Sequence, residues 1–323
     1  MARYTIIKLM NLSPLHIGIG KTDNYDTALK SLFSDTISAA LASIRALSGK
    51  DADIERFLNS FVISSAFPYY KTTYFLPKPV GEINIKVLNH EEHEYRKELK
   101  KVKYIALPLW RQLYIDKRQC VIEKTQIDGE YIVDDATKSE IISTNRIHQR
   151  VSVKGDNIDA EPFYFDWQFF NPEAGLYCLL EADGKTTNEI VELFAQLGIQ
   201  GIGSDRNVGG GHFDICTDTI EIPASPNASR SLVLSHYIPT VDEVAQLDLN
   251  HSTYSISLRG GYLAGGADEN TRHLHKRSIY MMVTCSCFHT TTPLKGKIVD
   301  LRPDHTDVSH PVYRSGRPLV IHI

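Results

Sequence analysis

Residues 3–12 set apolar Ile6, Ile7 and Leu9 among polar neighbours, which predicts a first strand closed by the turn formers Pro14, Gly18 and Gly20. A helix is expected next. Ser34 or Asp35 can cap it, and Ile37, Ala40, Leu41, Ile44 and Leu47 recur at helical spacing before Gly49. Runs 69–76 and 103–109 are rich in strand formers, and 175–182 reads as a buried strand. Thr186 followed by Glu189 has the capping-box pattern, and the stripe Ile190, Leu193, Phe194 and Leu197 stops at Gly198. A glycine-rich loop, 201–211, and a short strand, 212–216, follow. Strand, helix, strands, strand, helix, strand is the order of a ferredoxin-like β-α-β-β-α-β unit with an insertion between its middle strands.

Residues 221–230, rich in Pro, Ser and Ala, read as a linker. Beyond it, strands are expected near 231–237, 254–259, 278–288, 297–301 and 319–323, with helices poorly signalled. The expectation is an α+β chain of two domains, 1–222 and 228–323, and its length of 323 residues suits two cores. No short-period repeat is present.

Charge refines the picture. The formal net charge of −4 argues against bulk binding of polyanions, yet it hides segregation. Residues 96–118 hold eight basic and two acidic side chains, and 259–302 hold seven and three. Acids collect at 128–140, five against one Lys, and at 214–250, six against one Arg. These acidic blocks are expected to face solvent or basic patches of neighbouring subunits. The five cysteines form no CxxC pair and the start has no apolar export segment, so a cytoplasmic chain with reduced thiols is expected. No apolar run approaches the length of about 20 residues that spans a bilayer, and a membrane role has no support.

The loop GIGSDRNVGGGHF carries the most chemistry. Gly201, Gly203, Gly209, Gly210 and Gly211 permit positive φ and close approach of a phosphate to main-chain N–H groups, with Ser204 and Arg206 beside them. The competing reading is a turn cluster that only joins helix to strand. A dinucleotide fingerprint fails because its third glycine would fall at Arg206, and a P-loop ending at Gly20-Lys21-Thr22 fails because its first glycine would be Leu15. The run 265–269 reads as a hairpin loop. His273, His275, Cys285 and Cys287 could supply zinc ligands, but nothing brings the pairs together, so neither a metal nor a cofactor is expected. His16, His148 and His212 are the acid–base candidates beside the cationic loop.

The spacing of Gly201, Gly203, Gly209 and Gly211 followed by Phe213 resembles the glycine-rich loop of the CRISPR-associated RAMP superfamily. Residues 15–18 with Ser34-Asp35-Thr36 look like that family's first strand and helix entry, and 145–150 look like its arginine segment before a protruding hairpin, about 145–165. Residues 235–239, 254–261 with Arg259, Lys276-Arg277 and 310–316 with Arg314 resemble the fourth-subunit family of the type III-A Csm effector complex. The resemblance implies two RAMP (RNA-recognition-like) domains at the foot of that complex, in antiviral defence. Such a subunit grips the repeat-derived 5′ tag of crRNA and docks the large polymerase/cyclase subunit. It lies beside the backbone RAMP subunit on the spacer, meets target RNA indirectly, and has no catalysis of its own.

The implied RNA-binding residues are His16, Gly18, Ser34, Arg146, His148, Arg150, Gly201, Gly203, Ser204, Arg206, Gly209, Gly210, Gly211, Arg259 and Arg314. Arginines would neutralise phosphates, and Phe163, Tyr164 and Phe165 would stack on a base or pack a core. Asp205 departs from the family pattern and opposes a phosphate there. Two alternatives are a repeat-processing endoribonuclease of the same superfamily with His16 as base, and a structural protein whose loop never meets RNA. In the endoribonucleases the glycine loop lies close to the C-terminus, whereas more than a hundred residues follow it here.

Overall fold

The computed structural model describes residues 2–18, 26–81, 83–134, 142–152, 161–225, 228–263, 274–290, 292–304 and 308–323. It is a mixed α+β chain. The strand Ala2–Met10 lies between Asp214–Ile222 and Ala174–Ala182, antiparallel to both, with Ile7 opposite Cys178 and Thr217. Ala174–Ala182 pairs on its far edge with Phe61–Ile63 and Phe67–Tyr70, and the sheet continues through Thr73–Pro77, Tyr104–Ala106, Tyr131–Ile132 and Ile127–Asp128. Both faces of the first strand are covered, so Ile6 and Ile7 are buried on opposite sides and the strand lacks simple alternation. Ile7 and Leu9 meet the helices, and Tyr4 and Ile6 meet the rest of the chain.

The helix Ser34–Leu47 buries Ile37, Leu41 and Ile44 as its stripe requires. Its N-cap is Phe33, and Ser34 and Asp35 lie buried inside the first turn instead of capping it. The helix Gly184–Gln200 starts earlier than expected, because the Asp183 carboxylate accepts from Thr186 N at 2.8 Å. It also runs through Gly198, where a Cβ would lie 2.2 Å from the Phe213 carbonyl oxygen. That glycine allows the helix to touch the strand rather than ending it. Because Asp214–Ile222 is nine residues long, the strand takes in two residues assigned from sequence to the linker; residues 226 and 227 lie outside the described ones.

The inserted segment departs most from expectation. The run 103–109 splits into the strand Tyr104–Ala106 and the helix Leu107–Tyr114, with Pro108 in its first turn. The helices Ile54–Asn59 and Glu92–Lys101 had no sequence signal strong enough to assign. Glu92–Lys101 buries Tyr95 and Leu99 and turns Arg96, Lys97, Lys100 and Lys101 to the surface, so much of the basic block is a helix face. Part of the acidic block, 135–140, lies outside the described residues, as do Gly20-Lys21-Thr22, the run 265–269 and His273.

In the second half a four-stranded sheet runs Asp248–Thr253, Cys287–His289, Ser231–Val233, Val320–His322. The helix Val241–Gln246 is closed by a capping box between Thr240 and Glu243. Two ribbons, Ile256–Arg259 with Ile279–Met282 and Ile298–Asp300 with Tyr313–Ser315, complete it. The strand expected over 278–288 breaks at a turn in which Cys285 has φ 78°, so Cys285 and Cys287 do not share a strand face. Burial pushes the Cys285 thiol up to about 12. Among the described residues no group of three or more His, Cys, Asp and Glu is placed to hold a metal, and no helix is long and apolar enough to cross a membrane.

The halves share a core: Tyr4, Ile6, Phe67, Tyr177 and Leu179 pack in one cluster with Leu232, Leu234, Leu319, Ile321 and Ile323.

Candidate RNA interface

The strands Ser143–Ser152 and Glu161–Phe170 form a two-stranded hairpin whose joining residues, 153–160, lie outside the described ones. Residues directly opposite one another share a face. Arg146 lies opposite Trp167, His148 opposite Phe165 and Arg150 opposite Phe163, so one face is cationic and aromatic. The Arg146 guanidinium is 5.6 Å from the Phe169 ring centre, and that of Arg150 is 5.0 Å from Phe165 and 5.5 Å from Trp167. His148 lies 5.7 Å from Phe169. The three aromatics expected to stack on a base or pack a core divide: Phe165 is buried beside Trp167, Phe163 is half-buried, and Tyr164 is exposed on the opposite face beside Ile147 and Val151.

The buried end of the aromatic face rests on His16, whose ring lies 4.2 Å from Phe165 and edge-on to Trp167. His16 Nδ1 is 2.8 Å from the Asp166 carbonyl oxygen. A carbonyl only accepts, so Nδ1 carries the proton. Main-chain bonds in both directions between Leu15 and Gln168 fasten this segment to the hairpin.

The glycine loop closes the other side. Ser204 N donates to the His16 carbonyl at 2.9 Å, and a Cβ on Gly203 would lie 2.4 Å from that same oxygen. A Cβ on Gly210 would meet the Trp167 ring at 2.7 Å, and one on Gly211 would lie 1.9 Å from the Ile202 oxygen. Gly201, Gly203, Gly209 and Gly211 all have positive φ. Of the two expectations, a phosphate cradle and a turn cluster joining helix to strand, the second describes most of the loop, whose amides are largely committed internally. Those of Gly201, Ile202, Ser204, Val208, Gly209, Gly210 and Gly211 donate to main-chain carbonyls. The glycines mainly permit close packing. Among the described residues, the loop amides without a main-chain partner are those of Gly203, Asp205, Arg206 and Asn207.

Asp205 forms an ion pair with Arg150, pinning the hairpin to the loop. The Arg206 side chain has no carboxylate partner among the described residues, and neither has that of Arg146. His212 Nε2 lies 3.1 Å from the Arg206 carbonyl oxygen and donates to it. Gly18 is exposed beside Ser204, with room for a Cβ 3.7 Å from its Oγ. His16, Gly18, Arg146, His148, Arg150, Gly201, Gly203, Ser204, Arg206, Gly209, Gly210 and Gly211 thus converge at one place.

Ser34, Arg259 and Arg314 do not join them. Ser34 is buried, its N donating to Ser65 Oγ at 3.1 Å and its Oγ accepting from His236 N at 2.8 Å. Arg314 is 5% exposed and ion-paired with the fully buried Asp35, which also takes Arg259 Nε at 3.0 Å. Burial pushes the Asp35 carboxyl up, and the Arg314 and Arg259 charges, with a smaller one from His236, outweigh it and hold it below the usual range. Burial likewise lowers His236 to about 4. These residues form a junction between the halves rather than a surface.

Asp205, noticed from sequence only as a departure, is the hairpin's clamp, and Asp35, read as an alternative cap, is the junction's anion. A charge at a loop position not expected to hold one was the available signal for the first. None existed for the second.

Residues 226–323 match the family model of the CRISPR Csm4 C-terminal domain. That stretch of the chain is thus similar to the C-terminal domain of Csm4. A curated relative, the CRISPR system Cms protein Csm4 of Thermococcus onnurineus (strain NA1), is 28% identical over 242 residues, 70% of this chain and 76% of the relative. The whole chain is similar in fold to a chain of the Csm1-Csm4 cassette solved in complex with cA4, with TM-score 0.63, 19% identity and 98% of that chain covered. It is also similar to one of the Csm3-Csm4 subcomplex in the type III-A CRISPR-Cas interference complex, with TM-score 0.61, 17% identity and 99% covered. The resemblance to the fourth subunit of the type III-A complex therefore stands on family model, relative and fold. In the two solved assemblies Csm4 accompanies Csm1 and Csm3 respectively.

Proposed function

We propose that the chain is the non-catalytic subunit of a type III-A CRISPR interference complex that holds the repeat-derived 5′ tag of crRNA, acting in the cytoplasm. The observation that carries this reading is the hairpin's cationic, aromatic face, clamped by Arg150 and Asp205 to a glycine turn that leaves Arg146 and Arg206 without carboxylate partners among the described residues. Two separated guanidiniums and the amides of 205–207 suit the phosphates of a single strand, and exposed Tyr164 offers a stacking surface.

The strand orders support two ferredoxin-like, RNA-recognition-like units. In the first half the central pair is Ala2–Met10 and Ala174–Ala182, and in the second it is Ser231–Val233 and Cys287–His289, each flanked by the other two strands of the motif. By analogy with the solved assemblies, the large polymerase/cyclase subunit and the backbone RAMP subunit are its protein partners, and target RNA is met through them. His16 is poorly placed to act as a base because it is 1% exposed.

The test is to purify the protein with its operon neighbours, extract the nucleic acid and sequence the 5′ ends. A uniform short 5′ segment ahead of varied spacers is expected. Random ends, or metal-free cutting of repeat RNA by the purified protein that His16→Ala abolishes, contradict the reading.

A further inference from the structure

The strand Asp214–Ile222 closes one end of the large sheet. It pairs with Ala2–Met10 along its whole length, and among the described residues its other edge has no strand beside it. In an antiparallel strand both main-chain groups of a residue point to the same side, and successive residues alternate. Three contacts fix which residues of this edge point outward. Phe213 N, just before the strand, donates to the Gly198 carbonyl at 3.2 Å. Thr219 N donates to the Asp218 carboxylate at 2.7 Å, and the Glu221 carbonyl accepts from Arg111 Nη2. Residues 213, 219 and 221 share one parity, so Ile215 and Thr217 point outward with them.

Both ends of the edge are closed and its middle is open. The helix Gly184–Gln200 meets Phe213, and Arg111 covers Glu221. Between them the N–H groups of Ile215 and Thr217 and the carbonyls of Ile215 and Thr219 have no partner among the described residues. The Thr217 carbonyl meets only the Cys216 thiol, at 3.7 Å. Residues 216–219 are all exposed. Long edges usually carry Lys, Pro or a bulge that prevents further pairing. Residues 214–222 hold neither Lys nor Pro, and their pairing runs without a shift of register.

Charge limits what fits. Asp214, Cys216 and Asp218 lie in one row on the same face of the sheet. Asp214 accepts from Asn11 Nδ2 at 2.8 Å and Asp218 from the Tyr74 hydroxyl at 3.2 Å, and among the described residues neither has a cationic partner. Lys8, opposite Cys216, holds its amine 4.1 Å from the Tyr69 ring centre instead. A second copy of this edge would set acid beside acid, which disfavours self-pairing.

We infer that residues 215–219 are a docking slot for a short, extended, basic segment of a partner protein, added to the sheet as a further strand. Main-chain bonds to Ile215, Thr217 and Thr219 hold it, and Lys or Arg at alternate positions meet Asp214 and Asp218. The slot does not depend on the tag reading.

Anisotropy of a labelled heptapeptide, Lys-Val-Lys-Val-Lys-Val-Lys, titrated with the full chain tests it. Binding is expected, with slowed hydrogen exchange at 214–222. Thr217→Pro removes an N–H that points away from Ala2–Met10, so the sheet should stay intact while affinity falls about tenfold, the value of a lost main-chain bond. Asp218→Lys leaves the main chain of Thr217 as it is and should weaken binding and remove much of its salt dependence. Lys-Pro-Lys-Pro-Lys-Pro-Lys, equal in charge but poor in main-chain donors, should not bind. No binding of the first peptide, equal binding of the proline peptide, or unchanged affinity in Thr217→Pro overturns the inference.

Discussion

Gly203, Gly210 and Gly211 lack side chains where none would fit, since a Cβ would fall on a carbonyl oxygen or on the Trp167 ring. Gly209 is different: its φ is +91°, yet nothing lies within 4 Å of a Cβ built there. Gly211→Ala is therefore expected to cost about 2–4 kcal/mol, strain plus overpacking, and Gly209→Ala about 1 kcal/mol of backbone strain alone. Urea unfolding of the two variants checks the contrast. His236 sets a pH dependence. Its folded value of about 4 lies below the ordinary value of 6.5, so the unfolded chain binds the extra proton between them. Stability is fully present above about pH 6.5 and is lost as the pH falls towards 4, by about 3 kcal/mol. His236→Gln should flatten that slope in unfolding curves measured across this range.

The hairpin and the glycine loop meet through a half-exposed ion pair and through the Trp167 ring packed on Gly210. Arg150 is neutralised by Asp205, so it contributes less to a phosphate than its position suggests. Asp205→Asn releases it. RNA binding should strengthen, and the plot of log affinity against log salt should steepen by about 0.7, the value of one more phosphate contact on a single strand. Anisotropy titrations over a salt series measure this, and an unchanged slope would show that Arg150 does not reach the strand. At this scale the sequence was partly legible. Helical stripes, the glycine spacing and the arginine segment each mark a local element that forms as its pattern requires. Alternation inside the hairpin also separates Tyr164 from Phe165. What periodicity could not show is where the loop's amides go, because their acceptors at Pro14 and His16 lie almost two hundred residues away. Nor does it separate the strand Tyr104–Ala106 from the helix Leu107–Tyr114, since one short apolar run fits both.

The whole molecule is tied together by contacts with no local signature. Asp35 meets Arg259 and Arg314 across 224 and 279 residues, and Leu232 and Ile321 enter the same cluster as Tyr4 and Ile6. Asp35→Asn leaves buried cations poorly compensated, and a loss of about 3–5 kcal/mol is expected. Residues 1–222 alone would expose Tyr4, Ile6 and Leu179, so that fragment should be insoluble or bind a hydrophobic dye where the full chain does not. The C-terminal half is thus both the part that carries the family signature and a wall of the first half's core. The central claim concerns where the RNA lies. Ultraviolet cross-linking of the assembled complex, with peptides and nucleotides identified together, tests it most directly. The account predicts that nucleotides of the 5′ tag cross-link to 143–170 and to the turn 205–208. Tag cross-links confined to other subunits, or absent from both segments, would contradict it.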